Sequence, residues 1–205
     1  MSIRVSHVVV VAILWTALGS SWFPAMAAGT DGPMATTRRV LERSHDIVVG
    51  EGDRKQKLLG LNDLLRTFLD TEALSRDAIG PHLDGQTPAD SQAFFDLFRE
   101  LFVRTYVQRL LLFEVPKFAY GEENLTGATA KVGTEIVAAH DRFAVDYRLR
   151  QTPDGWRATD ILVEGISIAG NFRAQFDTML SRNSFQEMLA VLRKKLEART
   201  SEAGS

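Results

Sequence analysis

Trp156-Arg-Ala-Thr-Asp160-Ile-Leu-Val-Glu164-Gly165-Ile-Ser167-Ile-Ala-Gly170-Asn171-Phe-Arg173-Ala-Gln-Phe176 is the stretch on which the reading of this chain turns. A β-rich run ends at Glu164-Gly165, a serine stands in the turn, and helical spacing begins near Ile168. Strand, turn and helix in that order form the layout of a nucleophile elbow, yet Gly165-x-Ser167-x-Ala169 misses that motif by one glycine. An α/β-hydrolase needs its histidine after the serine, and none follows His140. The order His140, Asp160, Ser167 belongs to a two-barrel protease, which the helices of this chain do not resemble. Ser167 is therefore expected to cap the helix that starts at Ile168 or Ala169. The chain is expected to be a binding protein and no enzyme.

Upstream of this stretch the period is two. Val132, Thr134, Ile136 and Ala138 alternate with Lys131, Gly133 and Glu135. After a tight connection at His140-Asp141, Phe143, Val145, Tyr147 and Leu149 alternate with Ala144, Asp146, Arg148 and Arg150. This predicts an antiparallel hairpin with one apolar and one wet face. Pro153-Asp154-Gly155 turns the chain into a strand over Trp156 to Val163, and a less regular strand over Lys117 to Tyr120 joins the sheet.

Both flanks are helical. Val40, Leu41, Ser44 and Ile47/Val48 mark a helix over about 36–49, and Leu58, Leu61, Leu65 and Phe68 mark the next. A short helix runs from Thr71 to Ile79, closed by Gly80-Pro81. Thr87-Pro88-Ala-Asp90 supplies a hydroxyl cap, a first-position proline and a first-turn acid. The helix it starts, expected to reach about Phe113, carries Phe94, Phe95, Phe98, Leu101, Phe102, Tyr106, Leu110 and Phe113 on one broad side. After the sheet, Ala169 to about Arg182 carries Phe172, Phe176, Met179 and Leu180. Ser184-Phe-Gln-Glu187 is a capping box ahead of Met188, Leu192 and Lys195/Leu196. The expected class is α+β: N-terminal helices, an antiparallel sheet of about four strands, then C-terminal helices.

Residues 1–27 read as a signal peptide: Arg4 and His7, an apolar run from Val8 to Leu18, and the small-x-small site Ala25-Met26-Ala27. Ser20, Ser21 and Pro24 break the run before the roughly 20 apolar residues that a membrane span needs. Without a cysteine at the cleavage point, no lipid anchor is expected. Cleavage after Ala27 leaves residues 28–205 as one domain. The leader holds one of the 24 basic residues and none of the 26 acidic ones, so the net charge becomes −3. That balance argues against a nucleic-acid partner. An exported chain with no cysteine at all points to the periplasm.

Few groups remain for chemistry. His45, His82 and His140 show no metal-ligand spacing, and no glycine loop is built to cradle phosphate. No metal and no cofactor are expected. Glu122-Glu123 reads as a loop charge pair. Asp160 and Glu164 are four apart along a strand, with Arg173 as the natural ionic partner. The apolar sheet face and aromatic helix leave two readings open, a solid core or a cleft wide enough for hydrocarbon.

Three groups of residues carry a resemblance. The first is Leu74-Ser-Arg-Asp-Ala-Ile79-Gly80, Thr87-Pro88, then Phe95-x-x-Phe98-x-x-Leu101-Phe102 leading to Thr105-Tyr106. The second is Val145-Asp-Tyr147 with Trp156-Arg-x-x-Asp160, and the third is Val163-Glu-Gly-Ile-Ser-Ile168 with Asn171-Phe-Arg173-x-Gln175-Phe176. Over about 36–198 the chain resembles the MlaC, or toluene-tolerance, family of periplasmic phospholipid-binding proteins. It departs from the family at Gly170, at Phe172, where tyrosine is frequent, and at Pro81-His82, which replaces a basic-aromatic pair.

The resemblance implies a carrier that holds a membrane lipid as cargo in an apolar cavity between sheet and helices. It would exchange that lipid with an outer-membrane lipoprotein complex and an inner-membrane ABC transporter. Some relatives are associated with hopanoids, and a ligand-free envelope adaptor is the competing reading. The residues expected to face lipid tails are Phe95, Phe98, Phe102 and Tyr106 of the long helix, Ile136, Phe143, Val145, Tyr147 and Val163 of the sheet, then Ile166, Phe172 and Phe176. Asp160, Glu164, Ser167 and Arg173 are expected to hold the strand-to-helix turn.

Overall fold

The computed structural model describes residues 31–111, 117–137 and 141–203. The expected leader over 1–27, with its cleavage site, and His140 lie outside those residues. Four helices come first: α1 (Pro33–Val49), α2 (Arg54–Phe68), α3 (Thr71–Ile79) and α4 (Pro88–Leu110), with a 3-10 turn at Gly80–Leu83. Five strands follow: β1 (Lys117–Thr126), β2 (Thr129–Val137), β3 (Arg142–Thr152), β4 (Gly155–Val163) and β5 (Ile166–Ser167). Helices α5 (Ile168–Leu180) and α6 (Phe185–Ala203) finish the described chain.

The helices begin where side chains satisfy the free N–H groups of a first turn. Asp53 accepts from Gln56 N at 2.8 Å while Gln56 Oε1 accepts from Asp53 N, which is a full capping box. Asp70 Oδ1 accepts from Ala73 N at the start of α3. Thr87 Oγ1 accepts from Asp90 N at the start of α4. At α6, Ser184 Oγ accepts from Glu187 N and Glu187 Oε2 accepts from Ser184 N. The starts of α3, α4 and α6 are where the sequence placed them, whereas the Asp53 start of α2 was not named from sequence. Helix α4 is described to Leu110, and the Phe113 end expected for it lies outside the described residues.

The sheet is an antiparallel meander in the order β1-β2-β3-β4-β5. It has one strand more than expected, the two-residue β5. Strand β1 also runs on past Tyr120, because a bulge between Tyr120 and Glu123 lets it keep pairing with β2. Glu122 and Glu123 are therefore strand residues and not a loop pair. Glu123 Oε2 accepts from Met34 N at 2.6 Å, in the first turn of α1, where a negative charge is favoured.

Registered partners line up in rows across the face that meets the helices. One row is Phe118, Ile136 and Phe143. The next is Tyr120, Thr134, Val145, Val163 and Ile166, and a third includes Val132, Tyr147 and Ile161. A bulge at Arg148/Leu149 shifts the parity of β4, so Ala158 shares a face with Leu149 whereas Ile161 shares one with Tyr147.

The sheet packs on α1, α2, α3 and α5. Phe68 meets Tyr147 edge-on at 5.7 Å between ring centroids, in a core that includes Leu69, Leu74, Ile79 and Trp156. Burial pushes the Tyr147 phenol well above its ordinary pKa, although a hydrogen bond with Thr134 opposes this. The junction of α2 and α3 is tied to β4. Leu69 bridges Ala158 in parallel, Asp70 N donates to Ala158 O at 2.8 Å, and Arg157 Nη2 donates to Arg66 O and Leu69 O at 2.8 and 2.7 Å.

Candidate functional site

Helix α4 is apolar on more than one side. Val103 and Val107 pack with Leu61 of α2, while Phe94, Phe98 and Phe102 turn towards the C-terminal helices. That is the pattern of a helix enclosed by others. Phe94 meets Phe176 at 5.4 Å and Phe98 meets Phe172 at 5.1 Å, both edge-on, while Phe102 stacks on Tyr106 at 4.4 Å. Rings in these geometries interlock without filling all the space between three helices.

What remains is a groove of about 320 Å³ between α4, α5 and α6. Its walls are Phe98, Leu101, Phe102, Thr105, Tyr106, Ile168, Asn171, Phe172, Gln175, Phe176, Met179, Leu192 and Lys195. Among the described residues no carboxylate lines it, and Lys195, exposed on α6, is the one charged wall residue. A cleft walled mainly by aromatic and aliphatic side chains, with two amides, two hydroxyls and one ammonium among them, suits a hydrocarbon ligand with a polar end. A larger cavity of about 630 Å³ lies between α1, α2 and the β3–β4 turn. There Asp31, Arg39, Arg66, Asp154 and Arg157 stand among Val40, Leu64, Phe68 and Trp156, a charged lining unsuited to acyl chains.

Five of the twelve residues expected to face a lipid tail meet in the groove: Phe98, Phe102, Tyr106, Phe172 and Phe176. Phe95 faces elsewhere, with the Arg76 guanidinium 4.7 Å from its ring centroid. Val145 and Tyr147 are buried in the core between sheet and helices, and Ile136 is half-buried against it. Phe143, Val163 and Ile166 are exposed at one end of the sheet. From Ile166 the chain passes through Ser167 to Ile168, which lines the groove. The sequence reading did not name Leu101, Ile168, Met179, Leu192 or Lys195 as lining. The apolar stripes of α5 and α6 were visible, but periodicity does not say which helix each stripe meets.

The turn beside the groove is held as a cap. Ser167 Oγ donates to Asp160 Oδ2 at 2.7 Å and accepts from Gly170 N at 2.9 Å. Asp160, nearly fully buried, also accepts from Ala169 N, Ile161 N and Arg148 Nη1. Glu164 and Gly165 both have positive φ, at 50° and 76°, and make a tight turn whose twist suits a hairpin. Glu164 N donates to Ala144 O, and the Glu164 carboxylate accepts from Ala144 N. The ion-pair expectation for Arg173 is corrected. Its guanidinium donates to Asp77 O at the end of α3, and Arg148 is the cation on Asp160. Asp160 and Glu164 do not share an environment, since one is buried beside α5 and the other is in an exposed turn. His82 lies in the 3-10 turn, 2.6 Å from Asp177 Oδ1 of α5.

Among the described residues no group of three His, Cys, Asp or Glu could hold a metal ion, and no helix is long and apolar enough to cross a membrane. Residues 35–194 match the family model described as MlaC protein. The fold is similar to a solved structure of the phospholipid-binding protein from Ralstonia solanacearum, determined in complex with a phospholipid. The two share 21% sequence identity and a TM-score of 0.72, over 82% of this chain and 98% of that one.

Proposed function

This chain belongs to the MlaC family, and from that premise we propose that it is a periplasmic carrier of phospholipid. It holds acyl chain in the α4–α5–α6 groove and shuttles the lipid between the outer and inner membranes. The observation that carries this reading is the meeting of Phe98, Phe102, Tyr106, Phe172 and Phe176 around one open groove. The shared fold with a phospholipid-bound protein supports it. The proposed partners are membrane lipid, an inner-membrane ABC lipid transporter and an outer-membrane lipoprotein complex.

The physics of such a carrier is a balance. Burying a chain of about 15 methylenes is worth on the order of 12 kcal/mol, at ~0.8 kcal/mol per methylene. A bilayer buries the same chain equally well, so the groove need only match the membrane interior. Transfer then requires a partner that opens the groove or receives the tail directly. At about 320 Å³ the groove lies at the low end of ligand cavities, so the ring contacts of Phe172 must yield for a second tail to enter.

Native mass spectrometry of the protein purified from a bacterial periplasm, with lipid extraction, tests the proposal. One phospholipid per chain is expected. A hopanoid in its place would change the cargo and keep the carrier. Protein that stays empty after incubation with phospholipid and hopanoid vesicles would sink the carrier reading in favour of an adaptor.

A further inference from the structure

Four arginines from four elements wall a separate cavity of about 430 Å³: Arg66 of α2, Arg99 of α4, Arg150 of β3 and Arg157 of β4. Asp70, Thr71 and Glu72 complete the wall, and none of these residues lines the aromatic groove. The two acids already have partners. Asp70 accepts from Ala73 N through Oδ1 and from Arg150 Nε through Oδ2. Glu72 Oε1 accepts from Arg76 Nε and Nη2 at 3.1 and 2.8 Å.

The arginines are anchored but not satisfied. Arg66 donates to Asn62 and Glu100, Arg99 Nη2 to Asp96, and Arg157 Nη2 to the two carbonyls that end α2. The Nε–H groups of Arg99 and Arg157 are nevertheless buried and donate to nothing. They are the two such side-chain atoms found among the described residues; Arg99 lines this cavity, and Arg157 stands between it and the larger cavity beside α1 and α2. Burying a charged donor without an acceptor is costly, and a guanidinium fork matches the oxygens of a phosphate. We propose that this cavity is a binding site for a phosphate group, held by the guanidinium groups of Arg66, Arg99, Arg150 and Arg157, with the Nε–H groups of Arg99 and Arg157 as nearby reporters. The site is independent of the tail groove, and its phosphate belongs to a lipid headgroup or to a soluble phosphate ester.

The test titrates the full chain, at constant ionic strength, with inorganic phosphate, glycerol 3-phosphate and phosphatidylglycerol vesicles, with chloride as the control. Arginine Nε–H resonances and binding heats are followed. Saturable shifts of the Arg99 and Arg157 Nε–H signals are expected. Arg99→Gln, which gives up an exposed pairing with Asp96, is expected to weaken binding about tenfold or more. Arg142→Gln, outside the cavity, should leave it unchanged. Displacement of bound phosphate by the vesicles would identify the headgroup as the source, and saturation by the soluble esters alone would identify a free phosphate. If no phosphate compound moves either Nε–H signal of the unsubstituted protein, or if Arg99→Gln binds as tightly, the proposal is overturned. Lipid content measured on the same samples keeps the two sites apart. An empty groove with intact phosphate shifts would sink the carrier reading alone.

Discussion

Ser167 Oγ donates to the buried carboxylate of Asp160 at 2.7 Å, which makes the serine a link between strand β4 and helix α5. Its other bond, from Gly170 N, is an N-cap. Ser167→Ala should therefore cost about 1–2 kcal/mol of stability. Asp160→Ala should cost about 3–5 kcal/mol, because it strips Arg148 and three other donors of their acceptor. Urea unfolding reads both. An esterase activity that vanished in Ser167→Ala while the fold held would overturn the structural assignment of this residue.

The groove predicts a split between stability and lipid content. Thr105→Trp fills the groove from a half-buried position and should abolish co-purified lipid while the protein still folds. Phe95→Ala, outside the groove, should cost about 3–5 kcal/mol yet leave the lipid content of the folded fraction unchanged. Lipid per chain by native mass spectrometry decides. Full loading of Thr105→Trp would place the tail elsewhere.

Gly80 has a positive φ of 55°, and a Cβ built on it would lie 2.2 Å from the Arg173 guanidinium carbon. Gly80→Ala should cost about 1–3 kcal/mol, part from the left-handed backbone and part from displacing Arg173 off Asp77 O. In Arg173→Ala the second part is absent. The double variant should thus be less destabilised than the sum of the singles, and thermal melts of all four proteins would show this coupling.

Burial alone would raise the pKa of Glu100, but hydrogen bonds and positive charge from Arg66 and Arg104 outweigh it and hold the carboxyl below the usual range. A lowered folded pKa adds stability above the unfolded carboxylate value of about 4.3, and that stability is lost as the pH falls through the folded value. Glu100→Gln should therefore flatten the loss of stability between about pH 5 and the acid limit. Urea midpoints across that range, with an equal slope in both proteins as the failing outcome, are the check.

Much of the fold was legible because its boundaries are marked by local chemistry. Thr87-Pro88-Asp90, Ser184-Phe-Gln-Glu187 and the Ser167 cap act within four residues of chain, so the sequence alone shows them. The second half of β1 was not legible. Gly121-Glu-Glu-Asn124 has poor strand propensity, and only pairing with β2 through a bulge makes it a strand. The candidate site was half legible for a similar reason. Aromatic density on α4 pointed to the right helix, but Phe95 and Phe98 face different neighbours, Arg76 in one case and Phe172 in the other. The arginine cavity had no signal at all, since its walls are scattered over some 90 residues of sequence.

The meander order of the sheet bears on how the chain reaches this structure. Every strand pairs with its neighbour in sequence, so each closure spans a short loop at small entropic cost. The parallel bridge from Leu69 to Ala158 instead closes a single loop of 158 − 69 = 89 residues. The strands can therefore zip together on their own, and the slow event is the arrival of the α2–α3 junction at β4. Pulsed hydrogen exchange should find β2 and β3 amides protected before that of Asp70, and simultaneous protection would refute this order. A nascent chain emerging helices-first is thus expected to leave its α2–α3 junction undocked until β4 has been made.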